Sequence, residues 1–115
     1  NDTYLSLARG YGNASITQIS SLTSIKVQMT PLINLIKKNN IESIKVLKID
    51  IEGYEDIALI PFFENVEAKL FPQNIIIEHG SHQLWKQDVI KFLFSMGYKE
   101  LFKTRSNMVL NNKQQ

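Results

Sequence analysis

Hydrophobic and polar positions change their period several times along the chain, and each change marks an element. Ile25-Lys26-Val27-Gln28-Met29 alternates, as a strand with one buried face does. Thr30-Pro31 then predicts a helix start, with Thr as N-cap and Pro at the first helical position. Leu32, Leu35 and Ile36 share one face of that helix, which reaches Lys38 and stops at Asn39-Asn40. Residues 46–52 predict the next strand. Gly53 allows a sharp turn, and Tyr54-Glu55-Asp56 opens a helix with acidic groups at the positive end of its dipole. Pro61 is expected to end or kink that helix. Residues 74–78 predict a strand, with Pro72 just before it. Leu84-Trp85, Val89, Phe92-Leu93 and Met96 recur near the helical period, and Gly97 supplies a stop. Residues 98–103 and 108–111 predict an antiparallel pair joined near Arg105-Ser106-Asn107. Upstream, residues 1–24 are rich in Ser, Thr, Asn and Gly. They predict short strands or loops at 4–8 and 14–20 around a turn at Arg9-Gly10-Tyr11-Gly12-Asn13.

From residue 25 the order is β, α, β, α, β, α, β, β. It predicts an α/β fold: a mostly parallel sheet with helices on both faces and a C-terminal antiparallel hairpin. The 115 residues suffice for one domain, 1–115, and 43% hydrophobic content supports a folded core. The net charge of +2 and the scattered lysines give no electrostatic case for nucleic acid. Absent cysteines exclude disulfides, thiolate metal sites and a cysteine nucleophile, and fit a cytoplasmic location. The longest apolar run, 57–63, is far too short to span a membrane. Asn13-Ala14-Ser15 matches a glycosylation acceptor but reads as ordinary loop. The chain begins at Asn1 rather than Met, as if in mid-sheet, which predicts a fragment or processed piece.

Charge enters this picture at two strand ends. A buried parallel strand normally reads as a continuous apolar run. In Val46-Leu47-Lys48-Ile49-Asp50-Ile51-Glu52-Gly53, Leu47, Ile49 and Ile51 are expected to point one way and Lys48, Asp50 and Glu52 the other. Ligands of open α/β sheets bind beyond the carboxyl ends of the strands. Asp50 and Glu52 lie at such an end, and Ile75-Ile76-Ile77-Glu78-His79-Gly80 closes another with Glu78 and His79. Neighbouring strands run about 4.8 Å apart, so one pocket is expected to gather Asp50, Glu52, Glu78 and His79 as catalytic groups. Each also has a structural reading. Lys48 and Glu52 could pair, Glu78 could cap a helix, and His82 reads as a loop histidine.

The stretch Leu47-Lys48-Ile49-Asp50-Ile51-Glu52-Gly53-Tyr54-Glu55 resembles the FkbM family of S-adenosylmethionine-dependent methyltransferases, which carry a strand ending in Lys-x-Asp-x-Glu-Gly-x-Glu. A strand and helix before it and an apolar strand ending in Glu after it agree, over roughly residues 25–110. The resemblance implies a Rossmann-like class I methyltransferase fold and methyl transfer, usually to oxygen of a sugar, lipid-linked or natural-product acceptor. It implies S-adenosylmethionine as cofactor, Asp50 and Glu52 beside the sulfonium and the acceptor, and Glu78 and His79 on the acceptor side. It also implies a glycine-rich loop for the donor. Gly10-Tyr11-Gly12 is the nearest candidate and reads as an ordinary turn, so the chain is expected to be the C-terminal portion of a methyltransferase domain. Within hydrogen-bond reach of the acceptor, Asp50 or His79 is expected to act as base. A divalent metal held by Asp50 with Glu78 suits hard oxygen ligands.

Two other readings compete. A non-catalytic folding or interaction module would expose Phe62, Phe63, Phe71 and Phe94 where another half packs. A phosphoryl-transfer domain also places an Asp at a strand end, but lacks here an acidic pair near a first strand and a companion lysine strand.

Overall fold

The computed structural model describes the backbone of residues 2–7, 14–17 and 24–28 and, in full, residues 30–112. The chain forms two compact units, Asn1–Pro31 and Leu32–Gln115. In the first, β1 (Asp2–Leu7), β2 (Ala14–Thr17) and β3 (Ser24–Gln28) build an antiparallel sheet of order β2-β1-β3. Leu5 stands opposite Ile16 on one side and Ile25 on the other. The alternating segment at 25 is therefore a strand as expected, but it pairs antiparallel with β1 instead of joining a parallel sheet. The turn expected at 9–13, with Gly10-Tyr11-Gly12, lies outside the described residues.

The second unit runs α1 (Leu32–Lys38), β4 (Val46–Ile49), α2 (Glu55–Asn65), β5 (Asn74–Glu78), α3 (Val89–Ser95), β6 (Tyr98–Lys103) and β7 (Asn107–Asn112). Its sheet has the order β4-β5-β7-β6. Only the β4–β5 ladder is parallel, while β7 pairs antiparallel with both β5 and β6. The mostly parallel sheet is thus corrected to a mixed one. The cause is legible in side chains. Met108, Leu110 and Asn112 of β7 are buried in strict alternation, which suits an interior strand. Beyond Tyr98, β6 is exposed throughout, carries Lys99 and Lys103, and has a register shift between Glu100 and Phe102. Lysines and bulges are what an edge strand tolerates. The hairpin therefore folds back so that β7, not β6, meets β5.

One face of this sheet is the core. Ile49, Ile75, Ile77, Met108 and Leu110 pack with Ile36 of α1, Leu59, Ile60, Phe62 and Phe63 of α2, and Val89 and Leu93 of α3. Burying each of the larger side chains contributes roughly 1.5–3 kcal/mol. All three helices supply the same cluster, so among the described residues helices cover one face, not both. Lys48, Ile76, Val109 and Phe102 form a row across the other face and stand outside that core.

Three local expectations change. Pro61 does not end α2, which continues to Asn65 because Phe62 and Phe63 are 1% and 4% exposed and hold the last turn in the core. Of the four phenylalanines that a non-catalytic module would expose, only Phe94 is exposed, at 45%; Phe71 is half-buried. The third helix starts at Val89, not near Leu84. Asp88 caps it by accepting the Lys91 amide at 3.1 Å, while residues 82–84 form a separate 3-10 turn. Gly97, at φ 100°, ends α3 as expected.

Candidate functional site

The site begins where β4 stops. β4 ends at Ile49, so Asp50 stands just past the strand, exposed, and Ile51 to Tyr54 form a turn closed by the Tyr54 amide on the Ile51 carbonyl at 3.3 Å. The expected alternation through Glu52 therefore breaks. Glu52 sits at φ 55° and Gly53 at φ 99°. Two successive positive φ values make a mirror-image turn, in which glycine is free of strain and glutamate is not. A Cβ on Gly53 would also come within 2.9 Å of Leu84 Cβ.

Glu55 explains this backbone. It is 0% exposed, and its carboxylate accepts the Ile51 amide at 2.7 Å and the Gly53 amide at 3.1 Å. Backbone amides converging on an anion in this way stabilise its negative charge. The indole N–H of Trp85 donates to the same carboxylate at 2.9 Å. The final Glu of the Lys-x-Asp-x-Glu-Gly-x-Glu pattern is thus the staple of the strand-to-helix turn. Reading it only as a helix-dipole residue missed this role, because its indole partner lies thirty residues away.

The parallel ladder pairs Ile49 with Ile77, so β4 and β5 end side by side and Glu78 closes β5 next to Asp50. Carboxylate oxygens of Asp50, Glu55 and Glu78 all lie within 4.8 Å of one another. Glu52, half-buried, joins them electrostatically. Its carboxyl is pushed above the usual range first by desolvation and then by the charges of Asp50, Glu78 and Glu55. Among the described residues no lysine or arginine lies within ion-pair distance of this group, and the Lys48–Glu52 pair that a structural reading allowed does not form. Glu78 Oε1 accepts the Gly80 amide at 2.5 Å, an approach that a Cβ at Gly80 would block.

The structure brings Asp50, Glu52 and Glu78 together, adds Glu55, and turns His79 to another partner. The His79 amide donates to the Ser106 carbonyl at 2.8 Å, and ring Nε2 lies 3.2 Å from the Thr104 carbonyl, to which its protonated form donates. Both contacts reach the β6–β7 turn. His82 Nδ1 lies 2.8 Å from the His79 carbonyl, and its ring meets Trp85 edge-on at 6.3 Å. The acidic group has the spacing of a hard-cation site, but Glu55 is already occupied by three N–H donors. We assign no metal to it.

This geometry is that of a rim at the carboxyl ends of two parallel strands, negative and, among the described residues, without an ion-pair partner. The sequence model of the methyltransferase FkbM domain matches residues 3–100, most of the chain. The chain belongs to the FkbM methyltransferase family. Neither a curated protein nor a solved structure matches it. The resemblance carried by residues 47–55 therefore holds for the family, and the residues of the acidic rim lie within the matched stretch. No described helix is long and apolar enough to cross a membrane.

Proposed function

We propose that the acidic rim takes part in methyl transfer from S-adenosylmethionine to a hydroxyl of a sugar, lipid-linked or natural-product acceptor, on a Rossmann-like class I framework. The observation that carries this reading is the cluster of Asp50, Glu55 and Glu78 at adjacent strand ends, with Glu52 within its electrostatic reach and no ion-pair cation on it among the described residues. Such a donor set fits a cationic ligand. The donor supplies, when bound, an electrophilic methyl group on a sulfonium. Asp50 and Glu52 would hold the positive sulfur by charge, and the turn stapled by Glu55 fixes their spacing. Positioning of this kind removes about 7–11 kcal/mol of barrier when the reacting atoms are aligned in line. As the acceptor oxygen bonded to the methyl carbon and the methyl–sulfur bond broke, leaving its electron pair on a neutral thioether, a carboxylate of the rim would take the hydroxyl proton. General-base assistance contributes roughly 10²–10⁴-fold. Glu52, whose proton affinity is raised, and Asp50, which is exposed, are the rim groups suited to that step; the ring of His79, held at Thr104, is not.

The reading treats the chain as part of one methyltransferase domain whose donor-holding glycine loop lies outside the described residues. It is tested by incubating the protein with isotopically methyl-labelled S-adenosylmethionine and a panel of hydroxylated sugars, lipid glycosides and polyketides, with amines as controls. Label fixed as a methyl ether supports it. Label found only on nitrogen, or no donor consumption with any acceptor, contradicts it.

A further inference from the structure

A second buried carboxylate accompanies Glu55. Asp56, 4% exposed, follows it in the first turn of α2, and its Oδ2 accepts the backbone amides of Lys86 at 2.9 Å and Gln87 at 3.2 Å. One residue earlier, Trp85 donates to Glu55, and one earlier again, Leu84 lies so close to Gly53 that a Cβ there would stand 2.7 Å from Leu84 Cδ1. Residues 84–87 therefore meet Gly53, Glu55 and Asp56 in step. The same segment is fixed at its start, where His79 is bound to the β6–β7 turn. It is tied down at both ends and borders the acidic rim between them.

We infer that residues 84–87 clasp the β4–α2 turn, and that Trp85 is a positioning residue for Asp50 and Glu52. The indole N–H is bonded to neither of them but to Glu55. It acts through Glu55, whose carboxylate gathers the amides of Ile51 and Gly53 on either side of Glu52. A fully buried carboxylate is stable only while its hydrogen bonds are complete. With the indole donor gone, Glu55 is under-satisfied, its hold on both amides loosens, and the two rim carboxylates lose their fixed spacing. The dependence of transfer on that spacing rests on the methyl-transfer reading above; the clasp itself does not.

Trp85 is the only tryptophan, so its indole N–H gives one unambiguous signal. The test compares the parent chain with Trp85→Phe by amide exchange, by carbon-13 titration of Glu52, and by turnover. Faster exchange at Ile51 and Gly53, about tenfold or more, is expected, with Leu59 in the core unchanged. The Glu52 titration should move, and kcat should fall about tenfold with the donor KM within twofold. The conservative variant Glu55→Gln, which keeps side-chain shape, should give the same three changes, and the double variant little more than either. It also serves if Trp85→Phe does not fold. Unchanged exchange and an unmoved Glu52 titration in a folded variant would overturn the clasp. Altered exchange with unaltered kcat would leave a structural latch and overturn the positioning role. If the parent transfers no methyl group, the functional reading fails, and the exchange and titration results alone decide the clasp.

Discussion

Glu52 occupies a backbone conformation that glycine adopts freely and glutamate adopts at a cost of about 1–2 kcal/mol. Its side chain adds to that cost, since it lies half-buried among Asp50, Glu78 and Glu55. Strain and like-charge crowding at one residue are typical of functional sites, where surrounding structure enforces what the residue itself opposes. The linkage has a definite sign. A carboxyl whose folded-state proton affinity is raised binds its proton more tightly folded than unfolded, so stability falls as pH rises out of the ordinary glutamate range. Glu52→Gln is therefore expected to raise the melting temperature at pH 7, with the gain vanishing below about pH 4, where both states of the parent are protonated. Melting curves across that range check it; a gain independent of pH would show that charge is not the cause. The candidate residues Asp50, Glu52 and Glu78 were legible because charge at the end of an apolar strand is conspicuous. The roles of Glu55 and Asp56 were not, because their partners Trp85, Lys86 and Gln87 are about thirty residues away and no local spacing reveals them. His79 shows the converse: its ring partner Thr104 is fixed by hairpin geometry, not by the strand that carries the histidine.

Among elements, periodicity identified each strand and helix of the second unit but not all of their boundaries or neighbours. α3 begins only at Val89, because Asp56 fixes the preceding backbone and Asp88 caps the helix. The place of β7 between β5 and β6 depends on which hairpin arm can be buried, and the alternation of Met108 and Leu110 against the exposed β6 decides it. One side-chain tie links these elements. Tyr98, at the start of β6 and 2% exposed, donates its hydroxyl to the Pro72 carbonyl in the lead-in to β5. Burial pushes the phenol up to about 12, while a hydrogen bond with Asn112 lowers it by a smaller amount. The folded state thus keeps this proton above the pH at which an unfolded tyrosine loses it, so the contribution of Tyr98 to stability should be constant to about pH 10 and fall as pH climbs toward 12. Tyr98→Phe leaves the Pro72 carbonyl unpaired and should cost about 1–3 kcal/mol at neutral pH. Denaturant melts of the variant and alkaline difference absorbance of the parent read these two effects; a phenol titrating wholly near pH 10 would contradict the buried tie.

At the scale of the molecule, two compact units are present, and the acidic rim belongs wholly to Leu32–Gln115. Its helices share one core on one face of a mixed sheet, so the rim is carried by a layer whose opposite face, with Lys48, Ile76, Val109 and Phe102, stands outside that core. The alternation of elements foretold an α/β architecture but neither the mixed pairing nor the one-sided helices, since both depend on contacts between distant segments. Family membership rests on a match across both units, residues 3–100, whereas the chemistry rests on two neighbouring strand ends. That chemistry is tested most directly by turnover of Asp50→Asn, an isosteric change at an exposed position that removes one charge and leaves the Glu55 staple intact. The variant should fold with a melting temperature no lower than the parent's, since it loses one of the crowded charges, and show kcat reduced by about 10²-fold or more. A folded Asp50→Asn protein that transfers methyl groups at the parent rate would contradict the account.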